Sequence, residues 1–149
     1  MGAYSFQNIQ GSIVGPGGNF NIGYGSGTAE EGISVSMADE KGDTKVGAGG
    51  EIMQSLRASK LGMITVRVLK TAPLNAQLSA MYDAQTTLSS LWGNNVVRFA
   101  DVVRGDVITG TQMSFVKRPD LQFGRDANIN EWSFRGNVEQ RLGTGDPVA

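Results

Sequence analysis

The sequence predicts a mainly β fold, an antiparallel sandwich or barrel of about seven or eight strands with one flanking α-helix at about 73–87. Three observations predict it. Short segments of alternating apolar and polar residues recur along the chain, which is the pattern of half-buried strands. The chain contains 21 glycines, and many of them separate these segments as turns require. A single segment, after Pro73, shows apolar residues at helical spacing.

The stretch from Thr65 to Gln85 joins the central strand directly to that helix. Apolar residues at 64, 66 and 68 alternate with Thr65, Arg67 and Leu69, which predicts a strand with one buried face. Pro73 suits the first turn of a helix because its missing N–H goes unused there, and Thr71 is a candidate N-cap. The apolar stripe that follows consists of Leu74, Leu78, Met81, Gln85 and Leu88.

The other strands follow from the same alternation. A hairpin is predicted over residues 4–24, with its turn at 15–18. Further strands are predicted at 33–37, around 52–56, at 96–103, at 107–116 and around 132–138. The polar, glycine-rich residues 38–50 are expected to form a mobile loop that carries a short strand at 44–46. The sequence contains no repeat and no linker, so we expect one domain over residues 1–149 with a flexible C-terminal end.

Composition excludes several classes of protein. The chain has no cysteine and no histidine, so it has no thiolate and lacks the commonest general base and metal ligand. Thirteen basic and fourteen acidic residues give a net charge of -1, which predicts no bulk attraction to nucleic acid or to an anionic membrane. No apolar run approaches the length of a membrane span. We therefore expect no enzyme, no metal site and no cofactor.

Three short motifs resemble functional signatures without their required context. The glycine run at 23–27 is as dense as a phosphate loop, but a strand rather than a helix follows it. Arg104-Gly105-Asp106 is the adhesion tripeptide, although between two strands it also makes an ordinary hairpin turn. The adjacent carboxylates Glu30 and Glu31 point to opposite faces of a strand and form no catalytic pair by spacing alone. We interpret all three as structural.

The predicted helix is unusually poor in charge. Between residues 71 and 97 the only charged side chain is Asp83. A helix with a water-facing side usually carries several lysines, arginines or glutamates. Two explanations stay open: either the helix packs against its own sheet, or its second face, with Gln77 and Ala80, is covered by another subunit, because interface centres are depleted in charge.

The chain also resembles a known family. TVRVLKTAPLNAQLSAMYDAQ is similar to a strand–helix segment of tail tube proteins from contractile-tailed bacteriophages and prophages. The segments YSFQNIQGSIVGPGG, EEGISV, SLWGNNVV, DVVRGDVITG and EWSF resemble that family in the same order, over about 4–143. The resemblance implies a non-enzymatic virion protein with antiparallel strands and one flanking helix, related to tube proteins of type VI secretion systems and pyocins.

That resemblance further implies hexameric rings that stack into a hollow tube inside a contractile sheath. The implied partners are the sheath, baseplate and tail terminator proteins, and phage DNA would pass through the lumen without specific binding. Assembly would take place in the cytoplasm of the bacterial host. The alternative from another class is a monomeric β-barrel module that binds a ligand or carbohydrate with its glycine-rich loops.

Two sets of residues are therefore candidate sites. The candidate interface residues lie in the polar loop and on the second helical face: Ala38, Asp39, Glu40, Lys41, Asp43, Lys45, Gln77 and Ala80. The candidate lumen residues lie on the polar sides of two strands: Ser34, Ser36, Thr65 and Arg67. We expect Glu51 and Glu131 to neutralise Arg67, because each begins a strand that could lie beside it.

Overall fold

The computed structural model describes residues 8–23, 28–38, 40–121, 123 and 129–145. These residues contain nine strands and one α-helix: β1 (Ile9–Gly15), β2 (Gly18–Asn21), β3 (Thr28–Met37), β4 (Gly42–Val46), β5 (Ile52–Leu56), β6 (Leu61–Leu69), α1 (Leu74–Thr86), β7 (Asn95–Asp101), β8 (Val107–Phe115) and β9 (Ile129–Arg141). A 3₁₀ turn at Ser89–Leu91 follows α1. Across the described ranges, no helix is both long and apolar enough to cross a membrane.

Seven of these strands form one antiparallel sheet in the order β2-β1-β7-β8-β9-β6-β3. Every neighbouring pair runs antiparallel. Because the number of strands is odd, the two edge strands, β2 and β3, run in the same direction. The antiparallel fold with one flanking helix is thus confirmed, whereas the closed barrel is not formed: the sheet is open at β2 and at β3.

One face of this sheet is apolar. Along β6, Ile64, Val66 and Val68 are fully buried, whereas Thr65 and Arg67 point to the other side, as the alternation predicted. The buried apolar residues of the sheet and the helix form a single cluster: Ile13, Ile22, Ile64, Val66, Val68, Leu74, Leu78, Met81, Val97, Phe99, Met113, Phe115, Trp132, Phe134 and Val138. We call the opposite side of the sheet, which bears Ser34, Thr65 and Arg67, the polar face.

A bulge in β8 shifts the alternation by one residue. Gln112 has a φ of 53°, a left-handed conformation that is uncommon outside glycine, and the register with both neighbouring strands shifts around it. Gly110 and Met113, three residues apart, consequently both lie on the buried side. The facing residue is Gly136, where a Cβ atom would lie 2.6 Å from the carbonyl oxygen of Gln112. The sequence predicted this strand without the bulge.

The helix packs on the apolar face through Leu74, Leu78, Met81 and Gln85, four of the five predicted stripe residues. The fifth, Leu88, lies beyond the helix and is 60% exposed. The N-cap prediction was wrong: Pro73 occupies that position and no side chain caps the helix.

Asn75 holds the start of the helix instead. Its Nδ2 donates a hydrogen bond of 2.8 Å to the carbonyl oxygen of Leu69, at the end of β6. Its Oδ1 accepts one of 3.1 Å from the Trp132 indole of β9. A single amide thereby ties the helix to two strands.

The far end of the helix is fixed by a buried amide pair. Gln85 Nε2 donates to Asn95 Oδ1 at 2.6 Å, and Asn95 Nδ2 donates to Gln85 Oε1 at 2.9 Å. Gln85 also donates to the carbonyl oxygen of Pro16, and Asn95 to that of Met113. Both side chains are fully buried, so the pair links α1 to β7, to β8 and to the β1–β2 turn.

The remaining two strands, β4 and β5, form a separate hairpin. They pair antiparallel along their whole lengths, from Gly42–Leu56 to Val46–Ile52. The strand predicted at 44–46 is confirmed and begins two residues earlier. Apart from the half-buried Gly42, every residue of the two strands is exposed. The large apolar residues among them are Val46, Ile52, Met53 and Leu56, at 58–82% exposure.

Other boundaries differ from the predictions in small ways. The first hairpin is confirmed as β1 and β2, although its predicted residues 4–7 and Tyr24 lie outside the described residues. β7 ends at Asp101 rather than at Val103, because a hydrogen-bonded turn begins there. Trp92, in an apolar stretch of sequence, is 37% exposed and packs edge-on against Tyr82.

Candidate assembly and lumen surfaces

The structure brings the predicted lumen residues together on the polar face. Ser34 lies opposite Thr65 in the register of β3 and β6. Arg67 Nη1 donates a hydrogen bond of 2.7 Å to Ser34 Oγ, and Thr65 Oγ1 lies 3.2 Å from Ser133 Oγ on β9. Ser36 is exposed opposite Met63. The polar face therefore carries neighbouring hydroxyl groups and one guanidinium on β3, β6 and β9.

Two cations beside this region are paired with carboxylates of β9. Arg67 Nε lies 3.3 Å from Glu131 Oε1, in direct register, which confirms Glu131 as its neutralising partner. Lys60 Nζ lies 2.9 Å from Glu139 Oε1, and its hydrogen bond lowers the pKa of that carboxyl group. Such exposed pairs add little stability, since their median contribution is about 0–1 kcal/mol. Their effect is to cancel charge on this face.

The prediction for Glu51 was wrong. Glu51 directly precedes β5, at the tip of the β4–β5 hairpin, where its backbone oxygen accepts a bond from the Gly47 N–H. It does not lie beside Arg67, because β5 pairs with β4 in a separate two-stranded sheet.

The outer face of α1 presents Gln77 and Ala80 to solvent. Its one charged residue, Asp83, forms an ion pair with Arg118, which follows β8. Arg118 also donates to Ser79 Oγ at 2.9 Å and lies over the Tyr82 ring, 4.7 Å from its centroid. The exposed helical surface therefore carries no uncompensated charge, the composition that suits an interface.

The predicted interface residues before the hairpin and within it are exposed wherever the structure describes them. Asp39 lies outside the described residues; Ala38, Glu40, Lys41, Asp43 and Lys45 are exposed. Hydrogen bonds to backbone oxygens fix this segment at its base. The Ala38 N–H donates to Leu61 O, and Arg57 donates from its guanidinium to Glu40 O and from its N–H to Lys41 O. The charged side chains of β4 are thereby presented on a defined hairpin.

The Arg104-Gly105-Asp106 tripeptide is a structural turn. Asp101 Oδ1 accepts bonds from the N–H groups of Val103 and Arg104, and Asp101 Oδ2 lies 3.5 Å from Arg104 Nη1. Burial raises the pKa of Asp101, but these bonds and the guanidinium outweigh it and lower that pKa overall. The Arg104 side chain is only 16% exposed, so the turn does not present the tripeptide as an adhesion motif would.

The two ends of the sheet carry different features. The β4–β5 hairpin, the 101–107 turn and the end of β9 lie at one end, which we call the hairpin end. The β1–β2 turn and the helix lie at the other, which we call the helix end.

Within the described ranges, no group of three or more acidic residues could hold a metal ion.

A family model described as the bacteriophage PhiTE tail tube protein matches residues 1–143 of this chain. The chain belongs to this tail tube family. The family is one of structural phage tail proteins and not of enzymes, so this member is a structural component of a virion tail. The alternative hypothesis, a monomeric β-barrel binding module, is not supported, because the sheet is open and the family is that of a tail tube.

Two solved structures have a similar fold. A chain of the anti-feeding prophage baseplate, a six-fold symmetrised structure, has a TM-score of 0.56 and 16% identity, with 97% of each chain covered. A chain of the anti-feeding prophage tube-terminating cap has a TM-score of 0.54 and 9% identity, with 96% of this chain and 95% of that chain covered. No curated protein sequence matches the chain.

Proposed function

We propose that this tail tube protein forms hexameric rings, which stack into the hollow inner tube of a contractile tail and conduct phage DNA during ejection. The observation that carries the proposal is the difference between the two faces of the sheet. The apolar face is buried in the hydrophobic core, whereas the polar face and both edge strands are left open. The similar baseplate structure carries six-fold symmetry, which supports six copies per ring.

The edges of the sheet suit a closed ring. Rotation about a ring axis keeps all subunits pointing the same way, and it brings the β2 edge of one copy beside the β3 edge of the next. Because β2 and β3 run in the same direction, this junction is parallel. Pairing would cover the exposed backbone groups of both edges, which otherwise invite aggregation. β2 has only four residues, so other surfaces such as Gln77 and Ala80 of α1 would also be needed.

The two ends of the sheet suit stacking. The hairpin end extends the β4–β5 hairpin with four exposed large apolar residues, and the helix end exposes others, including Val14, Leu69 and Val96. Rings that all point the same way would place the hairpin end of one ring against the helix end of the next. The hairpin is then the segment that gains order on stacking.

The polar face suits a lumen. Its hydroxyl groups and charge pairs tolerate water, and the pairing of Arg67 and Lys60 leaves the wall less cationic than its sequence suggests. A wall of this kind limits the attraction that would hold a polyanion in place. Phage DNA can then pass without specific binding.

The proposed partners are the sheath, the baseplate and the tail terminator, with assembly in the host bacterial cytoplasm. The similar folds in a baseplate and in a tube-terminating cap support contacts with both ends of a tube. Negative-stain microscopy of the purified protein tests the central claim. Rings or tubes are expected, whereas a monodisperse monomer at high concentration would contradict it.

Engineered cysteines test the parallel junction, because the chain has none of its own. Two pairs of substitutions place thiols in the same order along the two edges: Asn19→Cys with Ser34→Cys, and Asn21→Cys with Ser36→Cys. A disulfide requires Cα atoms within about 7 Å, so parallel strands permit both of these links in one register. An antiparallel junction would instead permit the two crossed links, Asn19 with Ser36 and Asn21 with Ser34.

A further inference from the structure

A shallow hollow of about 520 Å³ lies over β2, β1 and β7. The polar side chains that line it are those of Gln10, Ser12, Asn19, Asn21 and Arg98. In the register of the sheet, Ser12 lies opposite Asn21 on one side and opposite Arg98 on the other. These residues alternate with buried Ile13 and Val97, so they belong to the polar face.

Arg98 differs from the paired cations of the same face. Arg67 and Lys60 each have a carboxylate partner within 3.3 Å. Arg98 is exposed, and among the residues that the structure describes no carboxylate lies within salt-bridge distance of it. Its cross-strand neighbours are the neutral Ser12 and Thr109. Arg98 therefore shares the hollow with hydroxyl and amide side chains, and with the apolar residues Ile9, Phe20 and Ala100.

We propose that this hollow is an anion site that binds a phosphate group of a nucleic-acid backbone. A guanidinium matches a phosphate with two parallel N–H donors. Serine hydroxyls and asparagine or glutamine amides are also common donors to phosphate, and such contacts carry no sequence information. One site per subunit gives a weak, sequence-independent contact with a passing polyanion. Only the source of the phosphate, DNA in the lumen, rests on the proposed function.

The unassembled subunit tests the site by nuclear magnetic resonance titration with inorganic phosphate and with a short DNA duplex. Both probes are expected to shift the Arg98 side-chain signal and the backbone amides of Ser12 and Asn21. Arg98→Gln should abolish these shifts. Arg135→Gln is the matched control, because Arg135 lies on the same face, also lacks a carboxylate partner among the described residues, and does not line the hollow. No shift at the hollow, or an equal loss in both variants, would overturn the proposal.

Assembled protein provides the second measurement. For duplex DNA, the slope of log K against log salt is expected to fall by about 0.9 for each phosphate that the protein no longer neutralises, so Arg98→Gln should flatten it more than Arg135→Gln. If the protein forms no tubes, the proposed function fails, and the titration of the subunit still decides the site. Tubes whose subunits show no shift at Ser12 and Asn21 would sink the phosphate site alone.

Discussion

Replacing Gln85 by leucine is expected to lower the free energy of unfolding by about 2–3 kcal/mol. The two side chains have similar volumes, so the cost comes from the missing hydrogen bonds and not from a cavity. Asn95 Oδ1, fully buried, would lose its donor at a cost of roughly 1–3 kcal/mol. The part-buried carbonyl oxygen of Pro16 would also lose its hydrogen-bond donor, at a smaller cost. Burial of the apolar leucine side chain would offset part of the lost free energy of unfolding.

Urea denaturation of the unassembled subunit measures this change, with the fluorescence of the buried Trp132 as the signal. Gln77→Leu is the matched control, since Gln77 lies exposed on the same helix, and it should stay within about 0.5 kcal/mol of the parent. The double variant Gln85→Leu with Asn95→Leu should be less destabilised than the sum of the single variants by about 1 kcal/mol. Additive effects, or a Gln85→Leu cost below about 0.5 kcal/mol, would refute the argument.

Four other perturbations separate folding from assembly. Leu78→Ala, at a fully buried position, should cost roughly 2–5 kcal/mol in the same denaturation assay. Gln77→Glu should leave that free energy unchanged and reduce the tubes seen by negative-stain microscopy; undiminished tubes would count against an interface on α1. Deleting Glu40–Lys45 should block stacking, and amide exchange of the hairpin should be slow in tubes and fast in free subunits; equal protection in both states would argue otherwise. Arg67→Glu should cost about 0.2–1 kcal/mol, because it sets a carboxylate opposite Glu131, and exchanging the two charges should restore stability and leave rings intact.

Local patterns in the sequence predicted the parts of the fold that depend on neighbours along the chain. The alternation at 64–69 and the three- and four-residue spacing after Pro73 predicted β6 and α1 with their correct buried sides. The isolated Asp83 indicated a helix whose outer face differs from an ordinary solvated one. The pairing of Asp83 with Arg118, 35 residues further on, was not predictable, since no local pattern relates the two.

Contacts that depend on topology were missed for the same reason. Asn75 fills the role expected of Thr71, because β6 and β9 place a carbonyl oxygen and an indole within its reach. Glu131 was placed correctly beside Arg67, yet Glu51 was not, because β5 leaves the main sheet and pairs with β4 instead. The bulge at Gln112 left no signal either, as glutamine is not a residue that marks a left-handed position.

The charge of the polar face shows why the composition of the whole chain is a poor guide to a lumen. A net charge of -1 indicates no attraction for DNA, but it sums over the helix, the hairpin and both faces of the sheet. If the polar face lines the lumen as proposed, a passing polyanion meets only that face, where screening leaves it sensitive to charges within about 10 Å. On that face, β9 compensates Arg67 and Lys60 through Glu131 and Glu139, whereas the hollow at Arg98 is lined by neutral polar side chains. If this face lines the tube as proposed, its contact with the cargo depends on which cations are paired. Arg98, like Arg135, keeps a positive charge without a carboxylate partner among the described residues.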